Sequence, residues 1–282
     1  LGLVETVFDP ERSALTVSRP LAELLRGLPF LADRFPSQRA YSEASLAQVM
    51  GPQRAEAREF RAVELRSVVL LNRGDHFEVN PLPQAAQLAP AFTPVVADFD
   101  GDGHEDVFLS QNFFATRPGV SRLDAGRGLL LRGNGHGGFT AMPGQESGLL
   151  VYGEQRAAAT ADFDHDGRPD LVVTQNGAAT RLFRNASGKP GLRVRLIGPP
   201  GNPEGLGAVV RLRADGQTGP ARELHGGSGI GSQDSAIEIL VKPPGMTDPG
   251  QIEVHWPGGT TSSTSLYSKD TEVTARHPTA RP

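Results

Sequence analysis

The stretch Asp98-Phe-Asp-Gly-Asp-Gly-His-Glu-Asp106 decides the reading of this chain. It recurs 64 residues later as Asp162-Phe-Asp-His-Asp-Gly-Arg-Pro-Asp170. Both copies read D-F-D-x-D-G-x-x-D. The likeness extends outward, with Val96-Ala97 and Thr160-Ala161 before the loops. Val107-Phe-Leu-Ser-Gln-Asn112 and Leu171-Val-Val-Thr-Gln-Asn176 follow them. A fixed offset between matched segments marks an internal repeat. Eight of the 16 aspartates fall in these two windows, so the acidity is concentrated rather than spread over a surface.

The spacing carries a specific chemistry. Carboxylates at positions 1, 3 and 5 of a tight loop converge on one point, and Gly103 or Gly167 at position 6 permits the sharp turn. Oxygen-only anionic donors suit a hard cation, Ca²⁺ before Mg²⁺. Without one, four carboxylates in nine residues repel each other. An EF-hand starts similarly but requires Glu at position 12 and flanking helices. Here position 12 is Leu109 or Val173, and a β-rich apolar run follows Asp106 and Asp170. The expected ligands are therefore Asp98, Asp100, Asp102 and Asp106 with the backbone carbonyl of His104. In the second copy they are Asp162, Asp164, Asp166 and Asp170 with the carbonyl of Arg168. Two Ca²⁺ sites are expected.

These residues resemble the calcium loops of FG-GAP or VCBS repeats, the blades of integrin-α-type β-propellers. The resemblance covers roughly residues 65–190. Turns of the family's N-x-G-x-x-F type are Leu71-Asn-Arg-Gly-Asp-His-Phe77 and Leu131-Arg-Gly-Asn-Gly-His-Gly-Gly-Phe139, with a weaker one at Phe183-Arg-Asn-Ala-Ser-Gly188. Asn and Gly supply the backbone freedom that such turns need.

After Lys189-Pro-Gly191 the pattern changes. Leu192-Arg-Val-Arg-Leu-Ile197 alternates as a strand does. Then come Gly205-Leu-Gly-Ala-Val-Val-Arg211, Arg222-Glu-Leu-His-Gly-Gly-Ser-Gly229, Ser232-Gln-Asp234 and Ile252-Glu-Val-His-Trp-Pro-Gly-Gly259. This order of blocks is similar to the ASPIC/UnbV domain, which follows FG-GAP repeats in cartilage acidic protein-like and many bacterial secreted proteins. Ser235-Ala-Ile-Glu-Ile-Leu-Val241 departs from the H-F-G-L-G stretch usual there. The resemblance implies a small β domain. Gly226-Gly-Ser-Gly-Ile-Gly231 reads as a tight β connection, because it lacks the Walker lysine and Ile230 breaks G-x-S-x-G.

The N-terminal segment has another period. Leu21, Leu24, Leu25 and Leu28 follow helical spacing, with Ser18 as cap and Pro20 near the first turn. Ser42 is the expected cap of a second helix carrying Leu46, Val49 and Met50, stopped by Gly51-Pro52. The expected organisation is thus a mainly β chain. Residues 1–190 are partial integrin-α-like propeller blades with a short helical insertion at 12–60. Residues 191–282 form a small antiparallel β domain. At 64 residues per blade, residues 1–190 hold at most three blades, fewer than the four of the smallest propellers. With Leu1 in place of Met, the expectation is a portion of a longer chain, or a propeller completed by other subunits.

Composition sets the remaining bounds. The 34 Gly and 23 Pro among 282 residues disfavour a helical bundle. A net charge of −4 with scattered basic residues offers no surface for nucleic acid. No apolar run is long enough for a transmembrane helix. The absence of cysteine excludes disulfides, thiol catalysis and Cys-ligated zinc. Arg73-Gly-Asp75 and the sequon Asn185-Ala-Ser187 sit in expected turns. His104, His136 and His165 fall in loops, while His225 and His255 read as structural residues in strands. Trp256 reads as a strand-end core anchor, with a glycan pocket as the other reading.

The function expected is a non-catalytic, calcium-binding extracellular or periplasmic scaffold for a protein or glycan ligand. The alternatives are a structural subunit of a multi-chain assembly and a propeller-based enzyme, for which no nucleophile or acid–base constellation is recognisable.

Overall fold

The computed structural model describes residues 3–229, 231–247 and 249–280, and the connection around Ile230 therefore lies partly outside the described residues. The chain divides into two compact units, residues 1–65 and 66–282.

The first unit opens with a hairpin of β1 (Thr6–Asp9) and β2 (Ala14–Val17). Four short helices follow: α1 (Leu21–Leu24), α2 (Leu31–Arg34), α3 (Gln38–Ser42) and α4 (Leu46–Met50). Helical period is present, but it is cut into single turns. Gly27 and Pro29 follow α1, and Pro36 follows α2, and each residue type opposes helix continuation. Both expected caps are displaced. α1 starts after Pro20 with no side-chain cap, and Ser42 closes α3. Ser45 caps α4 instead, exchanging hydrogen bonds with Gln48 in a capping box. Gly51, at φ 54°, ends α4 as expected. Leu21, Leu24, Leu31, Phe35, Tyr41, Ala44 and Val49 give this unit a core of its own.

The second unit carries the repeats. β3 (Val68–Asn72) and β4 (Phe77–Pro81) form a hairpin. β5 (Ala91–Ala97), β6 (Asp106–Gln111), β7 (Leu129–Gly133) and β8 (Phe139–Met142) form a four-stranded antiparallel meander. A helical turn, α5 (Gly144–Ser147), leads to β9 (Glu154–Ala161), β10 (Asp170–Asn176) and β11 (Ala178–Phe183), a three-stranded sheet. Val95, Phe108, Leu130, Ala158, Leu171 and Val173 come from strands of both sheets and share one core. Each sheet thus buries a face that it cannot bury alone, which is the logic of repeat architectures.

The remaining strands form two sheets over a second core. β12 (Leu192–Ile197) lies between β16 (Ile237–Leu240) and β19 (Glu272–Arg276). β13 (Val209–Ala214) pairs with β14 (Gln217–Thr218), β15 (Arg222–Glu223) and β17 (Gly250–His255), and β17 pairs with β18 (Thr261–Leu266). All these pairings are antiparallel except β12 with β19, which run parallel. A parallel pair requires the chain to return across the domain, and residues 198–271 make that return. Alternation in β12, β13, β17 and β19 places Val194, Val210, Ile252, Val254 and Ala275 inside with no exposed surface. Trp256 is 3% exposed, donates Nε1–H to Ser262 Oγ at 2.8 Å and meets the His277 ring edge-on. It is a core anchor, as its position before Pro257 suggests.

Candidate metal centre

Each acidic loop joins the first two strands of a sheet: residues 98–105 link β5 to β6, and 162–169 link β9 to β10. The loops fold around their own first carboxylate. Asp98 Oδ1 accepts from the backbone N–H groups of Gly101 (2.8 Å) and Asp102 (3.1 Å), and Oδ2 from that of Gly103 (2.8 Å). Asp162 accepts in the same way from Asp166 N and Gly167 N, both at 2.9 Å. Gly103 (φ 95°) and Gly167 (φ 83°) adopt the left-handed backbone that position 6 was expected to need. Position 4 adopts it as well, as Gly101 (φ 71°) in one loop and His165 (φ 63°) in the other.

This folding gathers Asp98, Asp100 and Asp102 so that one oxygen from each lies within 4.8 Å of the others. Asp162, Asp164 and Asp166 converge likewise, and these are the two such groups among the described residues. Asp106 and Asp170 do something different. Asp106 Oδ2 accepts from Phe99 N (3.0 Å) and Oδ1 from Gly133 N (2.9 Å). Asp170 accepts from Phe163 N (2.9 Å) and Asn185 N (2.8 Å). The position-9 carboxylates thus tie the loop to the end of the third strand at Gly133, or to Asn185 two residues beyond it. His104 Nδ1 lies against Gly135, where a Cβ would approach it to 2.4 Å. The Arg168 side chain turns to Asp166 Oδ2 (2.6 Å) and Gly188 O (2.5 Å).

Arginines answer the clustered charge. Arg132 Nε lies 2.6 Å from Asp100 Oδ2, and its Nη2 lies 3.3 Å from Asp102. Arg184 pairs with Asp164 and Asp166 in the second loop, and Arg193 pairs with Asp162. Burial pushes the Asp98 carboxyl up against three N–H donors. Burial also pushes Asp106 up to about 6, with the charges of Asp100 and Asp98 adding to it and hydrogen bonds from Gly133 and Phe99 opposing. Asp166 behaves oppositely. Burial acts to raise it, but hydrogen bonds and charge from Arg168, with the charge of Arg184, hold it below the usual carboxylate range.

The linker after β11 lies against both loops. Asn185 donates from Nδ2 to Phe99 O at 2.7 Å, and its Oδ1 accepts from Gly188 N at 3.0 Å. Lys189 N donates to Asp100 O (3.1 Å), and Gly191 N to Gly167 O (2.8 Å). A Cβ at Gly101 would come within 2.5 Å of Lys189 O, so a residue with a side chain does not fit there. Motif reading missed Arg132, Arg184, Arg193 and the bonding of the Asn185 amide nitrogen. The signal within reach was the turn asparagine. Asn72 and Asn134 use Oδ1 to accept from the N–H two residues on, as Asn185 does.

Between the two loops and residues 221–239 lies a cavity of about 560 Å³. Arg222 binds Glu105 across it, and Asp234 Oδ1 accepts from Thr160 N at 2.9 Å. Burial, then the charges of Glu105 and Asp234, push Glu238 up to about 7 against the pull of Arg222. His225, expected in a strand, follows β15 as an exposed residue on the cavity wall.

The donor set is wholly carboxylate oxygen on preformed turns, which fits a hard divalent cation. Strand–loop–strand repeats with such loops define a class, and comparison with protein families agrees. Residues 155–188 match the FG-GAP repeat, and residues 198–282 match ASPIC and UnbV. The chain is therefore a repeat-containing protein with an FG-GAP repeat followed by an ASPIC/UnbV domain, and FG-GAP repeats imply propeller blades. No curated protein matches it. Among the described residues, no helix is long and apolar enough to cross a membrane.

Proposed function

We propose that this chain is a non-catalytic, calcium-binding scaffold that works in an extracellular or periplasmic setting and engages a protein or glycan ligand. The observation that carries this reading is the paired loop: two segments 64 residues apart adopt one hydrogen-bonding pattern and each gathers three carboxylates. Millimolar calcium outside the cell fills oxygen-rich sites of modest affinity. Calcium would hold the carboxylates together at the ends of the sheets, and the residues of both loops would orient it through their fixed turns. Metal analysis of the purified protein and thermal melts with and without EDTA test the reading. A site filled at a hundred-fold excess of ligand over Kd stabilises by about 2.7 kcal/mol. Absence of bound calcium together with EDTA-insensitive melting refutes it.

One observation favours a second reading, a structural subunit of a larger assembly. β11 pairs with β10 on one side, and among the described residues no strand pairs with its other side. Residues 178–182 are exposed there, with Leu182 at 53%. Such an edge accepts a strand from another chain. Native size measurement separates the two readings, since a monomer at saturating calcium excludes the assembly.

A further inference from the structure

Arg193 stands in β12, the first strand after the repeats, and is among the most enclosed charged groups described. Its side chain is 5% exposed, and that of its partner Asp162 is 2% exposed. Nη1 donates to Asp162 Oδ2, and Nε donates to Glu272 Oε2 at 2.9 Å. Asp162 is the first carboxylate of the second loop, and the same oxygen accepts from Gly167 N. The first loop has no counterpart among the described residues. Asp98 accepts hydrogen bonds there from backbone N–H groups.

The two loops share one arginine in matched positions, Arg132 near the end of β7 and Arg184 just after β11. Beyond that pair they diverge. The second loop also holds Arg168 on Asp166 and Arg193 on Asp162. Four aspartates therefore meet one guanidinium in the first loop and three in the second. Arg184 is largely exposed, and solvent screens it. Arg193 is enclosed, so its repulsion of an incoming cation stays strong.

We propose that Arg193 is the built-in counter-charge of the second loop and makes it the weaker of two calcium sites, so that the C-terminal domain tunes cation affinity in the repeat. This rests on the calcium reading above. Arg193 touches a candidate ligand from outside the motif and acts on affinity through charge.

Calorimetric titration of the full chain with CaCl₂ tests it. Two phases are expected, the tighter abolished by Asp100→Asn and the weaker by Asp164→Asn. Arg193→Gln tightens the weaker phase about ten-fold or more and leaves the tighter one unchanged. Glu272→Gln has the opposite sign. It removes the second anion holding Arg193 and weakens the same phase about three-fold, with Arg193 itself intact. Melting in EDTA verifies folding of each variant, and Glu272→Gln decides the matter if Arg193→Gln does not fold. Equal affinities, a weaker phase that maps to the first loop, or a weaker phase unmoved by these variants overturns the proposal while leaving the calcium reading in place. Absence of any calcium binding overturns both.

Discussion

Replacing Asp98 with alanine probes both the architecture of the first loop and its charge. The carboxylate accepts three backbone hydrogen bonds, from Gly101, Asp102 and Gly103, and Asp98 is 8% exposed. Hydrogen bonds to a charged acceptor contribute about 1.5–3 kcal/mol each, and solvent reaches part of the loop once the side chain is gone. The lower end of that range, taken over three bonds, gives a loss of about 4 kcal/mol for Asp98→Ala without calcium. Asp98→Asn keeps Oδ1 for Gly101 and Asp102 and loses one bond, so about 1–2 kcal/mol is expected. Both variants remove a carboxylate from the cluster with Asp100 and Asp102. The calcium-induced gain in stability should therefore fall by more than half, because only the second, weaker loop is left to bind. Denaturant unfolding in EDTA and in millimolar calcium measures both quantities. A loss below about 1 kcal/mol for Asp98→Ala refutes the account of the loop as folded around its first carboxylate. An undiminished calcium effect refutes the assignment of Asp98 to a cation site.

Two further outcomes follow from residues outside the motif. Asn185→Ala removes the bond to Phe99 O and the acceptor for Gly188 N, and costs about 2–3 kcal/mol in denaturant unfolding; an unchanged midpoint refutes the role of this amide in tying the linker to the first loop. Glu238 has its carboxyl raised to about 7 by burial and by neighbouring Glu105 and Asp234. The unfolded chain ionises first, so stability from this group is complete below about pH 4.5 and is lost as pH rises to 7, by up to about 3 kcal/mol. Glu238→Gln should flatten that part of the stability profile between pH 5 and 8, and an identical profile in the variant refutes the assignment.

The candidate sites were legible to different depths. Asp98, Asp100 and Asp102 and their repeat partners could be read from spacing alone, because carboxylates two to four residues apart are brought together by one local turn. Asp106 and Asp170 were legible as members of the motif, but their bonds to Gly133 and Asn185 join separate strands and leave no local trace. The sequon at Asn185 is a turn residue whose amide nitrogen bonds Phe99 O. The helical segment shows the limit of periodicity. Leucines at helical spacing indicated a buried face, and Gly27, Pro29 and Pro36 cut it into turns whose caps depend on local backbone geometry.

By itself the amino-acid sequence determined a mainly β chain with two copies of one acidic loop, because both properties rest on periods of a few residues. Alternating apolar residues select strands, and carboxylates spaced around glycine fold into one tight turn. Tertiary structure decided how the loops differ. Arg132 and Arg184 reach the first and second loops from the third strand of each sheet or just past it, whereas Arg193 reaches Asp162 from β12, the first strand after the repeats. It also decided that β12 pairs parallel with β19 across 79 residues, from Arg193 to Glu272. Contacts at such separation depend on which faces the core leaves adjacent, and no local spacing encodes them.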